Sequence, residues 1–149
     1  MINETLDRLK SLHTSAIDSR NGYQEALKDD AGGKMVSVFH DMMTLHDDNA
    51  AELAHELVKA NELPDEDGSF MSVVHKTIMD VRSMFNGLDE SVLPGLIDGE
   101  KRNVLKYDDA LEAAGVPANV LTLLTQQRES LLQKINQMQS MTAKSERVP

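Results

Sequence analysis

Apolar residues recur every three or four positions along most of the chain, the spacing that places them on one face of an α-helix. Four long stretches carry this pattern, and residues that interrupt helices separate them. The pattern predicts helices that begin after Asn3 and end at Gly32-Gly33, that cover about 34–61 and 91–114, and that run from Pro117 to about Met141.

The segment between the second and third predicted helices contains a further, shorter helix. The stretch "NELPDEDGS" ends helix two, because Pro64, Gly68 and its acidic residues do not favour a continuing helix. Ser69 then caps a stretch with apolar residues at helical spacing, at Met71, Val74, Ile78, Val81 and Phe85. We therefore expect an all-α fold: a ferritin-like four-helix bundle with a crossover containing a short helix between helices two and three. The bundle domain is predicted over 1–142, followed by a flexible polar tail over 143–149.

Composition narrows the classes of function. The 149 residues include no cysteine, which excludes disulfides, thiolate metal sites and cysteine nucleophiles. The formal net charge of -10 argues against nucleic acid as a partner, because its phosphates would be repelled. No apolar run is long enough to span a membrane, and the first residues lack the apolar core of a signal peptide, so we expect a cytoplasmic protein without membrane contact.

The stretch "ELAH", Glu52 to His55, has the Glu-x-x-His spacing with which ferritin-like proteins hold a di-iron centre. Each residue of a helix advances about 100° around the axis, so the facing of the two side chains can be derived from the apolar face. With Phe39 at the centre of that face, Glu52 and His55 both point to solvent. The motif is therefore not expected to bind metal.

Other polar residues do fall on the apolar faces of the four helices. The same helical wheels place six polar residues inward: His13, Arg20, Gln24, His46, Glu100 and Arg128. Arg20, His46, Glu100 and Arg128 lie at similar heights in the bundle, which predicts a structural polar layer. We expect a buried ion pair of Glu100 with Arg128 or Arg20, to which His46 adds hydrogen bonds.

A di-iron centre in this fold needs four carboxylates and two histidines, and this set offers one carboxylate with two arginines. An arginine cannot bind a cation and repels it, so no metal and no cofactor are expected. If a metal is bound nevertheless, His46 and Glu100 are its predicted ligands. The many methionines, among them Met42 and Met43, are interpreted as adaptable core filling, with a small apolar ligand between the helices as an open alternative.

Three stretches carry a resemblance to a known family: "DSRNGYQEAL" in helix one, "GSFMSVVHKTIMDVRSMF" in the crossover and "DGEKRNVLKYDDAL" in helix three. Over about residues 5–140 the chain resembles the bacterial four-helix-bundle proteins grouped as domain-of-unknown-function family 2383. The resemblance implies a ferritin-like fold and no particular activity. Where the family's crossover has His-Arg before an aromatic residue, this chain has His75-Lys76 followed by Thr77 and Ile78.

The sequence thus favours a non-enzymatic helical bundle, an interaction or stress-associated protein with a protein partner or further copies of itself. The alternative is a ferritin-like metalloprotein that binds iron or manganese at an atypical core site around His46 and Glu100.

Overall fold

A computed structural model describes residues 3–29, 33, 35–62 and 90–147, and the described residues are helical or form the turns between helices. The elements are α1 (Asn3–Asp29), α2 (Val36–Lys59), a short 3₁₀ helix (Glu90–Val92), α3 (Leu93–Glu112) and α4 (Ala118–Arg147). The predicted all-α class and its four long helices are confirmed. The short crossover helix predicted between Ser69 and Phe85 lies outside the described residues.

The helix boundaries follow the residues that predicted them, within a few positions. Gly115 lies just beyond α3 with φ 74°, a left-handed conformation that glycine adopts without steric cost. Pro94 lies in the first turn of α3, where its missing N–H has no helical acceptor to lose. α4 continues to Arg147, past the predicted end near Met141.

The core lies between all four helices and consists mainly of aliphatic and methionine side chains. Those with less than 2% exposure include Leu9, Tyr23, Phe39, Met42, Leu53, Leu57, Leu96 and Leu124. On α2 the buried face is the predicted one, with Phe39, Met42, His46, Ala50 and Leu53. Its burial removes a continuous apolar stripe from water, which is the main stabilisation of such a helix.

The buried face of α1 differs from its predicted face. Gln24 was expected to point inward and is exposed, whereas Tyr23 and Ala26 are completely buried. The observed buried face of α1 is therefore rotated about the helix axis relative to the predicted face. The rotation is smaller than the roughly 100° that separates neighbouring residues. This rotation places Tyr23, which was not part of the predicted inward set, in the middle of the bundle.

Contacts between side chains give the directions of the helices. α1 and α3 run antiparallel, because residue numbers rise along α3 as they fall along α1 in three successive contacts. These contacts are Tyr23–Glu100, Ser19–Asn103 and Ser15–Lys106. α1 and α2 are also antiparallel, with ion pairs Arg20–Asp47 and Lys10–Glu62. α2 and α3 are consequently parallel to each other. No helix in the described part of the chain is long and apolar enough to cross a membrane.

Candidate functional site

Among the described residues, the most deeply buried charged side chain is Glu100, near the middle of α3 with 0% exposure. Its carboxylate lies in the bundle core and accepts hydrogen bonds from three residues on three helices. Asn103 Nδ2 lies 2.6 Å from Oε1, and the Tyr23 hydroxyl lies 3.0 Å from Oε2. His46 Nε2 lies 2.7 Å from Oε2 and 3.0 Å from Oε1. Both oxygens are thus engaged by donors.

His46 reaches Glu100 from α2, the helix diagonally opposite α3, and is itself only 2% exposed. An ionised carboxylate can only accept hydrogen bonds, so His46 Nε2 carries a proton and donates it. The imidazole ring also stacks on the Tyr23 ring, with centroids 5.9 Å apart and planes inclined by 14°. Stacking and hydrogen bonding together fix the orientation of the histidine.

The remaining members of the cluster come from the α1–α3 contact. Asn103 lies one turn beyond Glu100 on α3, which allows its amide to bond back to the carboxylate. The same amide donates to Ser19 Oγ on α1 at 3.3 Å. We call Ser19, Tyr23, His46, Glu100 and Asn103 the carboxylate cluster. It connects α1, α2 and α3 through one buried charge.

The cluster stabilises the ionised form of Glu100. Burial by itself acts to raise the pKa of the carboxyl. The charge and hydrogen bond of His46, with the hydrogen bonds from Asn103 and Tyr23, act in the opposite direction and prevail, so the pKa of Glu100 lies below its ordinary value. Burial, and then the charge of Glu100, raise the pKa of the Tyr23 hydroxyl well above its ordinary value. Tyr23 therefore remains a neutral donor to an ionised acceptor.

A second polar group lies further along the bundle, between α2, α3 and α4. The Tyr107 hydroxyl donates to Gln127 Oε1 at 2.7 Å, and Gln127 Nε2 donates to the Asn49 carbonyl oxygen and to Glu52 Oε1, each at 3.4 Å. Burial, followed by the charges of Glu100 and Glu52, raises the pKa of Tyr107. We call Asn49, Glu52, Tyr107 and Gln127 the tyrosine–glutamine group.

The structure brings together two of the four residues of the predicted polar layer, His46 and Glu100. The predicted pairing of Glu100 with an arginine is wrong. Arg128 Nε instead donates to Asp108 Oδ1 at 2.6 Å, at the partly exposed edge of the α3–α4 pair. Arg20 donates to Asp47 at 3.1 Å and to the neighbouring Asn21. The long side chains of both arginines extend toward the surface, so that their guanidinium groups lie near water, where the charge is better solvated.

The other two residues predicted to point inward, His13 and Gln24, differ in burial. His13 is 2% exposed, in agreement with the helical wheel, while Gln24 is exposed. Glu52 and His55 are both exposed, so the "ELAH" motif faces outward as predicted. Tyr23 and Asn103 were not predicted as members of the site. The sequence spacing could have predicted Asn103, because it follows Glu100 by three residues and therefore lies on the same face of the helix.

The chemistry of the carboxylate cluster suits hydrogen bonding better than metal coordination. A metal at Glu100 would have to replace the hydrogen bonds from Tyr23 and Asn103 and the proton on His46 Nε2, and the Asn103 amide nitrogen, which keeps its protons, could not bind it. Among the described residues, no group of three or more histidine, aspartate and glutamate side chains lies close enough together to hold a metal ion. The donors therefore do not fit a di-iron centre, which needs six such ligands.

A model of the protein family described as a domain of unknown function (DUF2383) matches residues 4–113 of the chain. The matched residues begin in α1 and end just after α3. No curated protein matches the chain. The resemblance that the three sequence stretches indicated is confirmed over these residues.

Proposed function

We propose that this protein, which belongs to the family described as domain of unknown function DUF2383, is a non-enzymatic helical bundle that acts by binding a protein partner or further copies of itself. Of the two predicted kinds of role, interaction is the one we develop, and an association with stress stays a prediction.

One observation carries the non-enzymatic part of the proposal: both oxygens of Glu100 already accept hydrogen bonds within the cluster. A catalytic carboxylate or histidine needs a free position facing a substrate. Here the carboxylate is 0% exposed and its histidine partner 2% exposed, and each is oriented by the other. The role of the cluster is therefore structural: it holds α1, α2 and α3 in a fixed arrangement.

We also propose that the bundle is of the ferritin-like kind. α2 and α3 run parallel, as the contacts of α1 with each of them require. One long crossover connection between the second and third helices produces this direction, whereas bundles with only short loops alternate up and down.

The surface of α3 offers a place for a partner. Leu105 is 61% exposed; exposed Lys101 and Arg102 lie one turn before it, exposed Lys106 beside it, and half-buried Asp108 and exposed Asp109 one turn after it. This α3 patch is an apolar side chain between a basic turn, Lys101 and Arg102, and an acidic turn, Asp108 and Asp109, on a chain whose net charge is -10. The outer face of α2 is acidic, with exposed Asp41, Asp47, Asp48 and Glu52. An acidic protein surface, including α2 of a second copy, would complement the basic turn of the patch, with Leu105 as the apolar contact beside it.

Sedimentation velocity over a range of protein concentrations tests self-association, with Leu105→Gln as the variant and Leu121→Gln on α4 as the matched control. Leu121 is 36% exposed and lies outside the patch. We expect oligomers larger than the 16.5 kDa chain. Their fraction should fall with added salt and in Leu105→Gln, and it should be unchanged in the control.

If the wild type is a monomer at all concentrations, the partner is another protein. Crosslinking in the native host, followed by mass spectrometry, should then recover one partner that Leu105→Gln loses and Leu121→Gln keeps. A monomer that retains no partner in this comparison would contradict the proposal.

The second candidate function is the metalloprotein, because a histidine–carboxylate pair does lie at the centre of the bundle. It requires iron or manganese to replace the hydrogen bonds between His46 and Glu100. An ultraviolet–visible spectrum of iron-loaded, aerobically handled protein would show the absorption of oxo-bridged iron for this candidate alone.

A further inference from the structure

A small cavity lies between the carboxylate cluster and the tyrosine–glutamine group. It offers about 10 Å³ of room for the centre of a water molecule. Its lining combines polar residues with apolar walls: Ser15, His46, Asn103 and Tyr107 with Ala16 and Leu131. A single water needs a volume of roughly 10–15 Å³, so the cavity can hold a water molecule.

The polar residues of the lining have hydrogen-bonding capacity left over. His46 uses Nε2 toward Glu100, which leaves its second ring nitrogen, Nδ1. Asn103 uses its amide nitrogen toward Glu100 and Ser19, which leaves its carbonyl oxygen. Tyr107 donates its hydroxyl proton to Gln127, and its oxygen, which also faces the Asn49 side chain, has a lone pair that can accept a further hydrogen bond. A buried water typically makes about three hydrogen bonds, the number that these three residues offer.

We propose that one water molecule occupies this cavity and is bound by His46, Asn103 and Tyr107. It bonds to the second ring nitrogen of His46 and donates to the oxygen atoms of the other two residues. With this water in place, the carboxylate cluster and the tyrosine–glutamine group form one continuous hydrogen-bonded chain.

The water has a consequence for proton exchange. Asn103 and Gln127 take part in the chain through amides, which do not release their protons, whereas the water can exchange protons with the His46 ring. A ring proton of His46 can pass to the water while another proton is returned from it, so exchange with solvent proceeds without a net change of charge.

The wild-type protein provides the first test, and it depends on no variant. A crystal structure at high resolution should show a single density peak in the cavity within hydrogen-bond distance of His46, Asn103 and Tyr107. NMR of protein labelled with ¹⁵N-histidine should show cross-peaks between water and the His46 ring. A cavity without density, together with a His46 ring that shows no contact with water, would overturn the proposal.

A matched pair of variants tests whether the water lies in this particular cavity. Leu131 lines the cavity, while Leu124 lies two turns earlier on the same face of α4 with the same exposure of 1%. Leu131→Phe should fill the cavity and abolish both the density peak and the His46–water cross-peaks. Leu124→Phe should keep both. If phenylalanine prevents folding at either position, Ala16→Val, which adds volume to the cavity lining, and Ala26→Val, buried on the same helix outside the lining, make the same comparison with a smaller added side chain. Equal effects at both positions, or unchanged water contacts in both folded variants, would contradict the assignment.

Discussion

At the scale of single residues, the main finding is the arrangement of donors around Glu100. A buried carboxylate is costly when isolated, because water solvates its charge far better than an apolar core does. Here His46, Tyr23 and Asn103 replace that solvation with hydrogen bonds of 2.6–3.0 Å. The free energy of the folded state therefore depends on the whole cluster and not on one ion pair.

We predict that Glu100→Ala lowers the free energy of unfolding by about 3–5 kcal/mol, because it leaves three buried donors without an acceptor. Arg128→Ala is the control and should cost less than about 1 kcal/mol, since its ion pair with Asp108 is partly exposed. Urea unfolding of both variants measures this. Similar losses in the two variants would contradict the structure and favour the ion pair expected from sequence.

The ionisation of Glu100 predicts a dependence of stability on pH. The pKa of Glu100 is lowered in the folded state, while the unfolded carboxyl titrates at about 4.5. The contribution of the ionised group is therefore complete above about pH 4.5 and is lost as the pH falls through the lower folded-state pKa. The difference in unfolding free energy between wild type and Glu100→Gln should be constant from pH 7 to about 4.5 and should shrink below that range. A difference that grows on acidification would refute it.

The same residues show what sequence can predict about the site. His46 and Glu100 were identified because each is a polar residue on a strongly apolar stripe, and burial follows from that position. The predicted partners failed because a helical wheel locates the Cα atom and not the end of the side chain. Arg20 and Arg128 have Cα positions near the core, but their charged ends reach Asp47 and Asp108 at the edge of the bundle. Short or rigid side chains such as His46 and Tyr23 have no such freedom.

At the scale of helices, periodicity predicted the existence and facing of α2 well and the facing of α1 less well. α2 has a dense apolar stripe around Phe39, Met42 and Leu53, which leaves one orientation. α1 has many alanine, serine and threonine residues that fit either inside or outside. The packing of α1 against α3, where Tyr23 meets Glu100, decides its rotation. Sequence periodicity within one helix does not contain that information.

The outward facing of "ELAH" on α2 gives a prediction at this scale. The double change Glu52→Gln, His55→Gln should alter the free energy of unfolding by no more than about 0.5 kcal/mol, as is usual for exposed positions. Both side chains are exposed, and the hydrogen bond from Gln127 to residue 52 can be kept by the glutamine oxygen. Thermal or urea unfolding provides the measurement. A loss of several kcal/mol would mean that the face of α2 is assigned wrongly.

At the scale of the whole molecule, the cluster explains how four helices with few aromatic residues adopt one arrangement. Apolar side chains such as leucine and methionine pack in many ways, so an apolar core specifies its own geometry only loosely. A buried carboxylate with donors from α1, α2 and α3 satisfies its hydrogen bonds in one relative placement of those helices. We infer that Glu100 contributes to the specificity of the bundle as well as to its stability.

The central claim is that the centre of this bundle is a closed hydrogen-bonded cluster and not a metal site. Elemental analysis of protein purified from cells grown with ample iron and manganese tests it most directly, with Glu100→Gln analysed in parallel. The cluster predicts far less than one iron or manganese ion per chain in the wild type, and no difference in the variant. One or more tightly held ions per chain, lost in Glu100→Gln, would show that the donors around Glu100 give way to a metal and that the protein is a metalloprotein.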